Sequence, residues 1–269
     1  MTDWIPADWP APAHIHAGTT TRLNGASRRP FDSFNLAAHV GDRPDAVAGN
    51  RRQLRDRLDL PAEPAWLQQQ HGNRVIRVKQ GRGADADGAY TDTAGEVCAV
   101  LTADCVPLLL CNRNGAGIAA LHIGWRGLCS RVIRSGLSML DAAPRDLLAW
   151  IGPHLRQKNY EVGADVVSAC LKEGLLSGDG DRFETCSHAD PQEYTPVPYS
   201  QAVSESRTDH WFLNLGALVK NELQQLGVAD VYDSNQCTYA NKDLFYSWRR
   251  DGMTGRMASL IWMDGEKNC

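Results

Sequence analysis

The chain has 269 residues, 43% of them hydrophobic and 22% charged, and a formal net charge of −4. That is enough apolar material for a sizeable core, and the interleaving of acidic and basic residues leaves no basic stripe for nucleic acid, so a small neutral or anionic ligand is expected. The start, MTDWIPADWPAPAHIH, lacks the cationic and apolar segments of a secretory leader, and nothing downstream is apolar for the length of a membrane span, which predicts a soluble, cytoplasmic protein.

No linker-like or charge-block segment divides the chain, so one domain over 1–269 is expected. HIHAGTTT (14–21) reads as the first strand, and SFNLAAHVGD as a loop of small polar residues. Between 44 and 58, Val47, Leu54 and Leu58 share a helical face while Arg51, Arg52 and Arg55 cover the remainder. The runs PAWLQQ, NRVIRVK, VCAVLTA, VPLLLCN and GIAALHI, joined by short turns such as NRNGAG, read as the strands of a sheet. Leu128, Val132, Ile133, Leu137 and Leu140 form a helical stripe, followed by the strand LLAWIG. Further helices fit 163–175 and 211–226, the second closed by Gly227. The polar, proline-bearing stretch 176–210 reads as a long surface loop, with a lid as the alternative. The end, LFYSWRRDGMTGRMASLIWM, reads as a hairpin turning through Asp251-Gly252 and Gly255. Strands with helices between them predict a layered α/β sandwich with a more mixed sheet than the all-parallel doubly wound type.

Eight cysteines with irregular spacing and no C-x-x-C pair argue against a disulfide framework, a zinc ribbon and a redox pair, and fit small buried core residues. Cys105 is the exception. In LTADCVPLLL it stands beside Asp104 within an apolar run, and in AALHIGWRGL His122 ends another such run. A catalytic zinc takes three protein ligands from His, Cys and carboxylates and keeps a fourth position open. His71 (in QQQHGNRV), Cys105 and His122 would make that set if three strand ends converge, each being followed within two residues by Gly or Pro. Asp104 could orient a ligand or serve as acid or base. Spacing leaves other readings open: hydrogen-bonded structural histidines, an inert core thiol, a turn-capping aspartate, or Cys105 as a metal-free nucleophile with a histidine base.

The stretches TTTRLNG, FNLAAHVGD, QQQHGNRV, TADCVPLLL, HIGWRG, IGPHL…YEVG and CTYANKDLFYSWRRDGMTGRMA occur in this order over almost the whole chain. Together they resemble the family described as polyphenol-oxidase or laccase-domain proteins, purine nucleoside phosphorylases and peptidoglycan editing factors. The resemblance implies an α/β/β/α layered sandwich similar to cysteine hydrolases, with zinc held by His71, Cys105 and His122. It also implies phosphorolysis of adenosine, inosine, guanosine or methylthioadenosine to free base and pentose 1-phosphate, with adenosine deamination alongside. The partners would then be a purine nucleoside and phosphate, and the enzyme a monomer or homodimer. Within that reading Arg22 and Arg126 are candidates for a phosphate clamp, because a guanidinium offers a bidentate fork, and Asn35 is a candidate for a ribose or base edge. Two departures from the family pattern stand out: Ile123, where alanine is usual, adds bulk beside a ligand, and Leu23-Asn24 precedes Gly25 where a glycine is usual.

Two rival chemistries come with the same resemblance. One is amide hydrolysis that removes a misloaded serine from a nucleotide-linked muramic acid precursor. The other is copper-dependent phenol oxidation, but a four-copper enzyme uses roughly ten histidines with His-x-His pairs. This chain has 8 histidines and one such pair, His14-Ile15-His16. Copper stays an alternative metal for the Cys/His set, since it outcompetes zinc on affinity.

Overall fold

The computed structural model describes residues 3–80, 83–177, 197–198, 202–207 and 210–264. Two β-sheets lie face to face and helices cover both outer faces, the α/β/β/α order expected above. The first sheet has four strands in the order β1 (Trp4–Pro6), β2 (Ile15–Thr20), β15 (Met257–Met263) and β5 (Val97–Thr102), all neighbours antiparallel. The second has six, in the order β14 (Asp230–Asp233), β8 (Leu147–Ile151), β6 (Val106–Asn112), β7 (Ile118–Ile123), β4 (Gly88–Thr91) and β3 (Val75–Arg77). Its outermost pairs are parallel and its three central pairs antiparallel, so the sheet is mixed. A small sheet of β12 (Val203–Arg207), β13 (His210–Leu213) and β9 (Glu161–Gly163) and a two-stranded pairing of β10 (Leu176–Ser177) with β11 (Val197–Pro198) lie outside these two.

Strand periodicity assigns each side chain to a layer. Along β7, Ile118 and Ala120 face the other sheet while Ala119, Leu121 and Ile123 face the helices, because successive side chains alternate. The same alternation in β8 sends Leu148 and Trp150 between the sheets and Leu147, Ala149 and Ile151 outward. β5 and β15 divide likewise, with Cys98, Val100 and Ile261 inward and Ala99, Leu101 and Leu260 toward α1 (Pro44–Leu58). Trp150, 1% exposed, fills the space between the sheets, where truncation to alanine would cost about 3–5 kcal/mol. The helical layer beyond the six-stranded sheet contains α2 (Trp125–Cys129), α3 (Val132–Met139), α4 (Ala164–Lys172) and α5 (Leu215–Gln225).

Four local expectations are corrected. The helix read over 128–140 is two helices, because Arg131 adopts a left-handed φ of 66° between α2 and α3. PAWLQQ contributes only the isolated bridge of Gln68 to Asp85, and residues 211–213 belong to β13, so the second long helix starts at Leu215. The terminal hairpin does not form. Its first half holds the short helix α6 (Trp248–Asp251), and its second half, β15, inserts between β2 and β5. Most of the loop read over 176–210 lies outside the described residues, as do Cys186 and Cys269. The six other cysteines are free. No helix among the described residues is long and apolar enough to cross a membrane.

Candidate metal centre

The donor atoms of His71, Cys105 and His122 lie within 4.8 Å of one another, the one such cluster among the described residues. Strand phase explains part of this. His122 has the parity of Ile118 and Ala120 on β7 and therefore points into the space between the sheets, where the end of β7 lies opposite Pro107 at the start of β6. Cys105 precedes β6, on the turn from β5, where Asp104 takes a φ of +99° that few residues other than glycine adopt. Asp104 keeps that turn because its carboxylate is held on both oxygens: Thr238 Oγ1 donates to one and the backbone N–H of Arg249 to the other, each at 2.7 Å. His71 also has a left-handed φ, +59°, on the loop before β3.

One carboxylate holds both imidazoles in register. Asp87 accepts the backbone N–H groups of Gln70 (3.2 Å), His71 (2.9 Å) and Gly72 (2.7 Å), which fixes the tight turn carrying His71. The same carboxylate lies 2.9 Å from His122 Nδ1, with both side chains almost fully buried. Nδ1 therefore donates to Asp87, which directs Nε2 at the cluster, where it can ligate once its own proton is lost. Burial opposes ionisation of Asp87, but the His122 hydrogen bond and the amides of Gly72 and His71 outweigh it and hold the carboxyl below its usual range.

Burial likewise disfavours a thiolate at Cys105, yet the charge of His122 and hydrogen bonds from both imidazoles prevail and bring the thiol down to about 6. Burial pushes His122 down, and the partners Cys105 and Asp87 lift it to about 9. The protein alone thus favours a thiolate beside an imidazolium, which is the ligand form of the sulfur. The Sγ of Cys105 lies 3.8 Å from His71 Nε2 and the two rings meet edge to face at 4.7 Å. A tetrahedral ion with bonds of 2.0–2.3 Å separates its sulfur and nitrogen ligands by about 3.5 Å, so the donor set fits a divalent metal of the zinc or copper type. Gly124 makes room for it: a Cβ there would sit 2.9 Å from the His71 ring and 3.2 Å from the Cys105 sulfur. His71 is exposed, Cys105 half-buried and His122 buried, so the cluster opens on one side.

That side is a cavity of about 320 Å³, within the range of small-molecule sites. Besides the donors, its wall includes His39, Gln69, Asp104, Tyr160, Trp248, Arg249 and Arg256. Arg249 lies over the Tyr160 ring at 5.3 Å and Arg256 over Trp248 at 5.7 Å. Arg256 is placed by donating to the carbonyls of Thr254 and Gly255, and its backbone N–H donates to Asn35 Oδ1.

The three substrate-binding candidates from the sequence do not line this cavity. Arg22 donates to the carbonyls of Asp32 and Lys242, lies 4.7 Å over Tyr246 and borders a separate surface depression. Asn35 is fully buried and committed to Ala37, Asp42 and Arg256, so it fixes its own loop and the start of β15. Arg126 is exposed and stacks on its neighbour Trp125 at 4.4 Å. Ile123 faces the helical layer, opposite to His122, and adds no bulk to the cavity. Asn24 takes the left-handed φ of 62° that its glycine-like position requires. Sequence reasoning passed over Asp87 altogether. His39, Arg249 and Arg256 sat inside the stretches FNLAAHVGD and SWRRDGMTGRMA, without a feature to single them out.

Comparison with known proteins agrees with this architecture. A purine nucleoside phosphorylase named YfiH from Shigella flexneri is 38% identical over 98% of this chain and 100% of its own length. A purine nucleoside phosphorylase from Haemophilus influenzae is 38% identical over 97% of this chain and 99% of its own. The crystal structure of a Neisseria meningitidis protein of the DUF152 family superposes with a TM-score of 0.85 at 37% identity, over 98% of this chain and 100% of that one. The family described as multi-copper polyphenol oxidoreductase laccase matches residues 16–264, and the chain belongs to it.

Proposed function

We propose that the protein is a zinc-dependent purine nucleoside phosphorylase that cleaves adenosine, inosine, guanosine or methylthioadenosine with phosphate, with deamination of adenosine as a side activity. The observation that carries this reading is the meeting of one thiol and two imidazoles at a cavity that also holds two guanidinium groups. The names of the full-length relatives support it. His71, Cys105 and His122 hold the metal, which supplies a Lewis acid and an acidified water.

The chain's own groups do the rest. Arg249 and Arg256 take the place of the clamp assigned to Arg22 and Arg126, since a guanidinium binds two phosphate oxygens at once and opposes the charge developing during displacement. At the rim, partial burial first and then the charges of Arg256 and Arg51 lower the pKa of His39, which favours the neutral imidazole as a hydrogen-bonding group. Asp104, with both oxygens engaged, is a positioning residue: it ties the backbone of Arg249 to the turn that presents Cys105. The family match from 16 to 264 supports one domain. We read the enzyme as cytoplasmic, a monomer or homodimer working on small molecules.

The decisive experiment follows pentose 1-phosphate. A preparation with about one zinc per chain releases base from inosine only when phosphate is present, and Cys105→Ala loses both metal and product. Arg249→Ala raises KM for phosphate about tenfold or more, the scale of one charge-assisted hydrogen bond, while Arg22→Ala leaves it unchanged. Serine released from a muramic acid precursor with no pentose 1-phosphate from any nucleoside replaces this reading by the amidase, and phenol oxidation replaces it by the oxidase.

A further inference from the structure

Trp248 opens α6 at the wall of the metal cavity, and its side chain contradicts its position. It is 57% exposed, against 36% for Tyr239, the other large aromatic residue exposed among the described residues. The backbone beneath it is nonetheless held from several directions. Ser247 caps α6 by accepting the Arg250 N–H at 3.2 Å, the Arg249 N–H donates to Asp104, and Arg250 bonds the carbonyls of Thr238, Tyr239 and Phe245 at 2.8 Å. Phe245 and Tyr246, just before it, are fully buried. A rigid mount therefore carries a large apolar ring into solvent, where burying it elsewhere would stabilise the fold.

The surroundings point to what the ring meets. Arg256 lies over the indole at 5.7 Å, a cation–π arrangement, and Trp248 shares the cavity wall with the three donor residues. Beyond the part covered by the guanidinium, the 57% exposure of Trp248 leaves ring surface for a planar partner, and aromatic rings pair by offset stacking with centroids about 4.5–7 Å apart. We propose that Trp248 is the stacking platform for the substrate's heterocyclic base, a specificity-determining residue that favours the two-ring purine over a one-ring pyrimidine. This rests on the phosphorylase reading, to which it adds the base subsite: guanidinium groups for phosphate, the donor set at the reacting bond, and the indole for the base.

The test uses zinc-loaded enzyme with inosine and phosphate as substrates. Trp248→Ala and Trp248→Leu are expected to raise KM for inosine about tenfold, the usual scale for one lost base–aromatic stack, with zinc content unchanged and a smaller rise in KM for phosphate, since Arg256 rests on the indole. Trp248→Phe restores most of the inosine KM. Adenine titrated into the wild type quenches tryptophan fluorescence, and the quench disappears in Trp248→Phe. An inosine KM unchanged in Trp248→Ala, or a Leu variant as good as the Phe variant, overturns the platform and leaves phosphorolysis standing. If the wild type makes no pentose 1-phosphate, the phosphorylase reading fails, and the adenine titration decides the platform by itself: a quench lost in Trp248→Phe keeps it, and no quench sinks it.

Discussion

Asp87 and Glu222 are both carboxylates buried beside cationic or basic side chains, and the protein treats them in opposite ways. Asp87, 1% exposed, accepts three backbone N–H groups and sits 2.9 Å from a histidine nitrogen. Glu222, 0% exposed on α5, accepts no close hydrogen bond on either oxygen among the described residues, and the guanidinium nitrogens of Arg131 and Arg134 reach it only at 3.7 and 3.8 Å. The first carboxyl is held below its usual range, whereas burial pushes the second up to about 7 despite the two arginines. Distance to a cation decides less than the number of donors aimed at the lone pairs. A carboxylate that organises a site is wrapped in donors, and one that merely lies in the core stays protonated over much of the pH range.

The largest break in this contrast is Asp87→Ala. It strands the turn at His71 and frees the His122 ring, so we expect a stability loss of about 3–5 kcal/mol, as when one partner of a buried pair is removed. Metal affinity should fall about 10–100-fold, the usual cost of losing the group that orients a ligand. Chelator competition and urea melts read the two effects separately. Asp87→Asn keeps the shape and should retain more stability than metal binding. Unchanged metal affinity in Asp87→Asn would mean that Asp87 shapes the turn and does nothing for the ring.

Glu222→Gln tests the other side. A folded pKa raised from 4.5 to about 7 means that the native state holds its proton where the unfolded chain has released it. Stability is therefore complete below about 4.5 and declines as pH rises toward 7, by on the order of 3 kcal/mol at most. Glutamine removes that decline, so the variant should match the wild type at pH 4.5 and exceed it by about 1–3 kcal/mol at pH 8 in urea melts. A gain of the same size at both pH values would show that titration is not its source.

These two carboxylates also show how much of the molecule could be read beforehand. The positions 215, 218, 219, 222 and 223 follow helical spacing, so the stripe that buries Leu215, Leu218, Val219 and Leu223 carries Glu222 inside with them. Burial was legible there; the distance of the partners was not, because Arg134 comes from α3 and Arg131 from the residue that precedes it. His71, Cys105 and His122 stood out as polar groups ending apolar runs. Asp87 did not, because it lies between the similar Asp85 and Asp92, and its role exists only once β4 pairs with β7. Arg22 shows a related ambiguity: in a sequence, a guanidinium that closes a loop onto carbonyls 10 and 220 residues away looks like one that binds phosphate. In the sequence, β15 reads as half of a local hairpin because turn signals are local. Its actual partners, β2 and β5, are paired by a buried face whose complement lies far along the chain.

The smallest effect belongs to Arg134, whose Nε lies 3.8 Å from Glu222 and whose side chain is 41% exposed. A half-exposed cation at that range, facing a carboxyl with a pKa near neutrality, acts through a screened field, so Arg134→Ala should cost about 0.5 kcal/mol at pH 8 and almost nothing at pH 5. In the Glu222→Gln background the cost at pH 8 should vanish, since no charge is left for the arginine to offset. The four-variant cycle at pH 8 isolates that coupling. A coupling above about 2 kcal/mol would mean that Glu222 is ionised and firmly paired in the native state, and the contrast with Asp87 would then reduce to a difference of partner type rather than of donor number.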